Sequence, residues 1–343
     1  MAKRLLVRVA LLCIPLTCVS APAQAQITEA VGSRALGMGG AFVAVASDSS
    51  ATWWNPAGLA AGPFIDVALG RVVTETAEGL PARRDRARWF ALATPPFGLS
   101  YYRLRITDIQ PSQPTTGPSG ANREDRGVGV PVRSLAASQL GVTLLQTIVS
   151  GVHAGATLKY VRGAVRRGRE DSALGPPELL DRGEAFEGGH AEGRFDLDVG
   201  VLAVAGPLRL GGVVRNLREP EFGAGEDGEP GVRMERQVRV GAAVSPEDAT
   251  GVPLTVAVDA DVRSYPSSTG ERRVVAAGAE QWVASRRIGI RAGARFNTTG
   301  ARERSGTAGL SVLVRSGMFL EGHVVRGGSS DDRGWGVAAR VSF

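Results

Sequence analysis

The chain has little of what an enzyme or a disulfide-stapled secreted domain would need. It holds two cysteines (Cys13 and Cys18), three histidines (His153, His190 and His323) and two lysines (Lys3 and Lys159). No His-Glu-x-x-His or comparable metal-ligand spacing occurs, and there is no Gly-x-Ser-x-Gly elbow. Catalytic groups far apart in sequence stay open, but no constellation supports them, so the expectation is no enzyme, no metal and no cofactor. Outside the first 25 residues no apolar run is long enough for a membrane-spanning helix. The formal charge of +6 falls to +3 once Lys3, Arg4 and Arg8 are set aside, and no basic run is present. Nucleic acid is therefore not an expected partner.

Residues 1–25 read as a secretory leader. Lys3, Arg4 and Arg8 precede mostly apolar residues from Val9 to Val19, and Ala23-Gln24-Ala25 offers small residues for cleavage. A membrane anchor would need roughly 20 apolar residues, and Pro15 interrupts this run. Cleavage would remove both cysteines and leave a chain without thiol chemistry.

Period-2 alternation dominates the remainder of the chain. In "VHAGATLKYVR", Val152, Ala154, Ala156, Leu158 and Tyr160 share one face, with His153, Thr157 and Lys159 on the other. "RFDLDVGVLAVAG", "PLTVAVDADVRSY" and "IGIRAGARFN" repeat the pattern. Extended along the chain it predicts about fourteen strands: 64–75, 86–95, 97–109, 132–148, 151–165, 192–205, 208–218, 235–245, 253–264, 272–284, 288–297, 306–315, 318–326 and 333–343. The fourth alternates weakly. Short connections, such as Gly206-Pro207, alternate with longer polar ones, above all 110–131 and 166–191. A secreted β-sandwich or β-helix would explain the alternation alone. Alternating loop lengths, and charges confined to one face, predict an all-β fold: a transmembrane antiparallel β-barrel of about 14 strands. Closure pairs every backbone polar group that lipid would otherwise strand.

The last strand, "RGWGVAARVSF", sets Trp335, Val337, Ala339, Val341 and Phe343 on one face. A terminal phenylalanine on such a strand resembles the signal read by the barrel-insertion machinery, with Trp335, Val341 and Phe343 as its residues.

A barrel this wide cannot be filled by its own side chains, and "GSRALGMGGAFVAVASDSSATWWNPAGLA" (32–60) is the one sizeable segment used neither as wall nor as loop. The expected division is 1–25 leader, 26–62 N-terminal hatch in the lumen, and 63–343 barrel. Gly37, Gly39 and Gly40 would let backbone approach the wall, flanking Met38 and followed by Phe42. Ser47 or Asp48 could cap a helical turn. Asn55-Pro56 offers an N-cap with proline at the first helical position, Ala57 follows, and Gly58 would let the chain leave. A phosphate loop is an alternative, but Phe42 stands where a third glycine is needed and no strand precedes it. A first strand plus a turn is another.

The same stretch resembles the N-terminal signature of the long-chain fatty-acid transporter (FadL) superfamily of outer-membrane barrels, and within it the PorV/PorQ-type branch. The resemblance is specific over 32–60. It implies a fourteen-stranded barrel, a hatch carrying Asn55, Pro56 and Ala57, and a location in the Gram-negative outer membrane among its lipids. The long loops here are polar rather than apolar, and no kinked strand is legible.

On parity, Asp196, Asp198, Asp259 and Asp261 face the lumen together with Arg209, Arg215, Arg239, Arg263, Arg291 and Arg295. They read as an ion-pair network holding the hatch, or as a polar path for a hatch that moves. The function expected is passive passage of a small hydrophobic ligand across the outer membrane. The alternative is a PorV-like barrel that docks a secreted cargo protein and assists export.

Overall fold

A computed structural model describes residues 30–76, 82–109, 129–225, 231–267, 270–300, 303–328 and 333–343. The expected leader and residues 26–29 lie outside them. The strands are β1 (Asp66–Thr76), β2 (Arg83–Thr94), β3 (Phe97–Ile109), β4 (Val130–Val149), β5 (Val152–Glu170), β6 (Ala191–Ala205), β7 (Leu208–Arg215), β8 (Glu221–Phe222), β9 (Val232–Arg233), β10 (Gln237–Val244), β11 (Leu254–Asp261), β12 (Tyr265–Ser267), β13 (Gly270–Arg272), β14 (Val274–Val283), β15 (Ile288–Asn297), β16 (Arg304–Arg315), β17 (Met318–Gly327) and β18 (Arg333–Ser342). Fourteen of them close into one antiparallel barrel, each beside its neighbour in sequence, while β8–β9 and β12–β13 form two small ribbons. Closure joins β1 to β18, with Asp66 opposite Ser342 and Val67 opposite Val341. Phe343 extends that seam by exchanging backbone hydrogen bonds with Ile65.

Tight turns gather at the end where the chain enters β1. Gly151, Gly206 and Gly317 hold positive φ there, which an L side chain adopts only with strain. The opposite end carries the ribbons and helix α3 (Pro176–Ala185).

The alternation read from the sequence is the alternation of the wall. Along β3 exposed and buried residues alternate strictly from Phe97 to Leu104. The outward set is apolar on most strands: Leu158, Val201, Val258, Ile290, Leu320 and Val337 all lie at 48% exposure or more. A soluble monomer rarely shows so continuous an apolar belt, whereas lipid requires one. Arg291 is 1% exposed beside Ile290 at 50%. Ile290→Arg is accordingly expected to lose about 2–4 kcal/mol of insertion free energy, while Arg291→Ala still inserts. Equal insertion of both variants into lipid vesicles would contradict the face assignment.

Two expectations need correction. β11 ends at Asp261, so Arg263 is not on the lumen wall; it lies exposed at the rim, where it donates to the Arg236 carbonyl. Charge is also not confined to the inner face. On β1–β3, Arg71, Arg88 and Arg103 share the outward parity of Leu69, Phe90 and Tyr101.

Candidate functional site: a two-sided, plugged lumen

Residues 30–62 fold inside the barrel as short turns, because glycine and polar residues interrupt every apolar run. Helix α1 (Ser33–Gly37) stops at Met38, and Gly39 and Gly40 then take left-handed φ of 71° and 85°. Helix α2 (Ala51–Trp54) follows a turn in which Asp48 accepts from the amide and hydroxyl of Ser50. A 3-10 turn, Pro56–Ala61, then begins on Asn55, whose side chain accepts from the Ala57 amide. Gly58 lies within this turn rather than ending it. A Cβ there would sit 2.1 Å from the Ala46 carbonyl oxygen, so Gly58 packs the hatch on itself.

The barrel wall answers with glycines of its own. Cβ atoms at Gly155 and Gly200 would meet Pro56 and Asn55, one at Gly211 would meet Val43, and at Gly278 and Gly293 the neighbour is Met38, all at 2.0–2.6 Å. Gly37 itself approaches the Cα of Gly309, and Gly39 rests on the Ala294 backbone. Except at Gly200, which faces the Asn55 side chain, hatch and wall therefore touch backbone to backbone, where only glycine fits.

Charged side chains fix this contact. Arg34 forks onto Glu280 at 2.7 and 2.8 Å, and Glu280 also accepts from Arg291 at 2.7 Å and from the Trp282 indole at 3.0 Å. Asp259 accepts two successive hatch amides, Phe42 at 2.7 Å and Val43 at 2.8 Å. Asp66 accepts from the Ser49 amide at 2.8 Å, and Thr307 donates to the Gly37 carbonyl at 2.9 Å. Phe42 packs edge-on against Trp54, beneath the Arg34 guanidinium.

Asn55 ties three strata together. Its amide donates to the Val43 carbonyl in the hatch at 2.8 Å and to the Val201 carbonyl in the wall at 3.0 Å, while its oxygen caps Ala57. Asn55→Ala should destabilise the docked hatch by about 2 kcal/mol, one cap plus stranded carbonyls. Amide hydrogen exchange across 51–61 should then rise about 30-fold, and an unchanged rate would contradict the role of this side chain.

The other charges serve the wall. Asp196 and Asp198 bracket Lys159 at 2.9 and 2.7 Å and accept the amides of Arg218 and Asn216. Asp261 pairs with Arg239 at 2.8 Å, and Arg295 donates to Ser305 at 2.8 Å. His323 is buried in the wall, His153 hydrogen-bonds Thr147, and His190 is exposed; the three stand apart. Sequence reasoning missed Arg34, Glu280 and Lys159. Arg34 and Asp48 are the sole charges between 32 and 60, and Lys159 is one of two lysines, so rarity was the available signal.

The lumen carries a continuous apolar stretch on one side. Beside buried Gln139, Lys159 and the Arg133–Asp108 pair, β3–β5 turn an apolar set inward: Tyr102, Leu104 and Ile106, then Leu135 and Ala137, then Val161 and Val165. They form one buried cluster with Phe42, Trp53 and Trp54 of the hatch below and with Phe222, Val232 and Met234 above. Trp53 lies edge-on to Tyr102 at 4.9 Å, and the Arg215 guanidinium covers its ring at 3.9 Å. The β8–β9 ribbon thus dips into the lumen from the long-loop end; a Cβ at Gly163 would be 2.6 Å from the Phe222 ring. An apolar column runs from this ribbon to the hatch, closed at both ends by segments that are not part of the wall.

A closed fourteen-strand antiparallel barrel with an N-terminal segment packed inside is the fold of FadL/TodX-like outer-membrane channels. The chain is similar to the CymD monoaromatic hydrocarbon channel at 13% identity and a TM-score of 0.64, covering 93% of this chain and 99% of that one. The Ralstonia pickettii toluene transporter TbuX matches at 13% identity and a TM-score of 0.61, over 92% and 99% of the two chains. For the Pseudomonas putida toluene transporter TodX the values are 13% and 0.56, over 93% and 99%. A family model described as "F plasmid transfer operon, TraF, protein" matches residues 100–261, under half of the chain. No curated protein matches it.

Proposed function

We propose that the barrel passes small apolar molecules across the outer membrane along the β3–β5 side of its lumen. The apolar column between Phe222 and Trp53 carries this reading. A small hydrocarbon gains roughly 25 cal/mol for each Å² of its surface removed from water there, and the charged β6–β18 side gives it nothing comparable. Passage requires the β8–β9 ribbon to lift and the hatch to shift, both of which are held partly by polar contacts that can re-form. CymD, TbuX and TodX are named for the passage of hydrocarbon or toluene, and the shared fold is consistent with such passage here. In the same reading residues 1–25 are removed on export, 26–62 act as the hatch, and the face bearing Trp335, Val341 and Phe343 is read by the insertion machinery.

Leu135→Asp should slow uptake of a labelled monoaromatic into proteoliposomes by about tenfold, since an unpaired carboxylate would interrupt the column. Unchanged uptake would remove the column from the route. A second reading, the PorV/PorQ-type docking of secreted cargo, draws on the charged rim around Arg263, Glu219 and Glu235. Deletion of the chain separates the two: loss of hydrocarbon uptake supports the first, loss of cargo export the second.

A further inference from the structure

The outer face of β1–β3 breaks the apolar belt early. On β15 every outward residue from Ile288 to Phe296 is apolar, but on β1 the run Val67, Leu69 ends at Arg71, and on β3 Phe97, Leu99 and Tyr101 lead to Arg103 and Arg105. Register sets Arg71 opposite Arg88, Arg88 opposite Arg103, and Arg86 opposite Arg105. Like charges facing across a sheet repel, so this cluster calls for a counter-charge.

The described residues supply part of it. Glu184 of α3, which packs on the outside of β3 and β4, pairs with Arg86 at 2.6 Å, and its carbonyl accepts from Arg105. Among the described residues Arg71, Arg88 and Arg103 have no carboxylate partner; Arg71 lies over the Trp335 ring, itself outward-facing. The arginines line a groove of about 180 Å³ with Ala136. Arg103 stands six residues beyond Phe97, roughly 15 Å up a tilted strand in an apolar band roughly 25 Å tall. It lies above outward-facing Tyr101, in the half of that band nearer the long loops.

We propose that this groove binds the phosphate groups of an anionic lipid in the leaflet on the long-loop side. Planar guanidiniums match phosphate oxygens in pairs, and the apolar residues directly below the groove, Leu99, Phe90 and Leu69, would meet the acyl chains of that same molecule. A free phosphate would use the arginines but not this apolar continuation.

Native mass spectrometry of the full chain in mild detergent, with added diphosphoryl lipid A, its dephosphorylated form or phosphatidylethanolamine, tests this. The diphosphoryl lipid should be retained about tenfold better than either other lipid, and R88Q/R103Q should lose that preference, about 1.4 kcal/mol. The heat-modifiable gel migration of a folded barrel should persist in the variant. Equal retention of the dephosphorylated lipid by the unaltered chain would overturn the proposal without any variant. So would displacement of the lipid by inorganic phosphate, or binding of polyglutamate in its place.

Discussion

Gly293→Val is expected to expel the hatch while leaving the barrel closed. A Cβ at this position would lie 2.2 Å from the Met38 carbonyl carbon and 2.4 Å from the Gly39 nitrogen, closer than real side chains approach. Valine suits a strand, and the ladder to β14 and β16 needs no change, so the wall keeps its place. The hatch is the part that yields, because it meets the wall there through its own backbone and has no side chain to rotate away. Overpacking in a deformable core costs about 1–3 kcal/mol, and a backbone-on-backbone clash sits at or above the top of that range. The variant should insert and migrate as a folded barrel, its hatch should become open to protease, and its conductance in a planar bilayer should rise well above that of the parent. Gly212→Val is the control, since its Cβ would meet only Val201, at 3.4 Å. A hatch as protected in Gly293→Val as in the parent would contradict the docking geometry.

The second large effect falls on Glu280. This carboxylate receives both prongs of Arg34, one N–H of Arg291 and the indole of Trp282, and its side chain is 3% exposed. Glu280→Leu would leave two guanidiniums short of their partner in a closed space, at about 3–5 kcal/mol for a broken buried pair. Arg34 keeps a contact of 3.3 Å to Asp48, one of 2.9 Å to the Ser47 hydroxyl and its place over the Phe42 ring, but no fork, so hydrogen exchange in 33–37 should rise at least 100-fold. Arg34→Leu should cost less, because Glu280 retains Arg291. If Arg34→Leu proved the more damaging of the two, the latch would have been assigned to the wrong side.

Much of the barrel could be read from alternation because lipid outside and charge inside give opposite faces opposite chemistry. The exceptions obey the same logic. The fourth strand alternates weakly because its inner face is itself apolar at Leu135 and Ala137, where the column runs. A weak pattern there marked the wall of the candidate route rather than a doubtful strand. Parity counting placed Arg263 on the wall because alternation in "DADVRSY" continues past Asp261, where the strand stops. The outward arginines of β1–β3 broke the assumption that every charge turns inward. The wall glycines were visible in composition, yet their positions matter only once Met38, Val43 and Pro56 are set against them. Nothing in the sequence marked the β8–β9 ribbon as an upper plug, since Phe222 is a lone aromatic among glycines and acids. Its destination is fixed by the space above Gly163.

The apolar column is expected to accept a small apolar molecule. A native mass spectrum of the intact barrel, extracted in mild detergent after growth with a monoaromatic compound, tests it most directly. One small apolar molecule per barrel, lost in Leu135→Asp, is the result expected. An empty barrel that carries a co-purified secreted protein at its rim would contradict it.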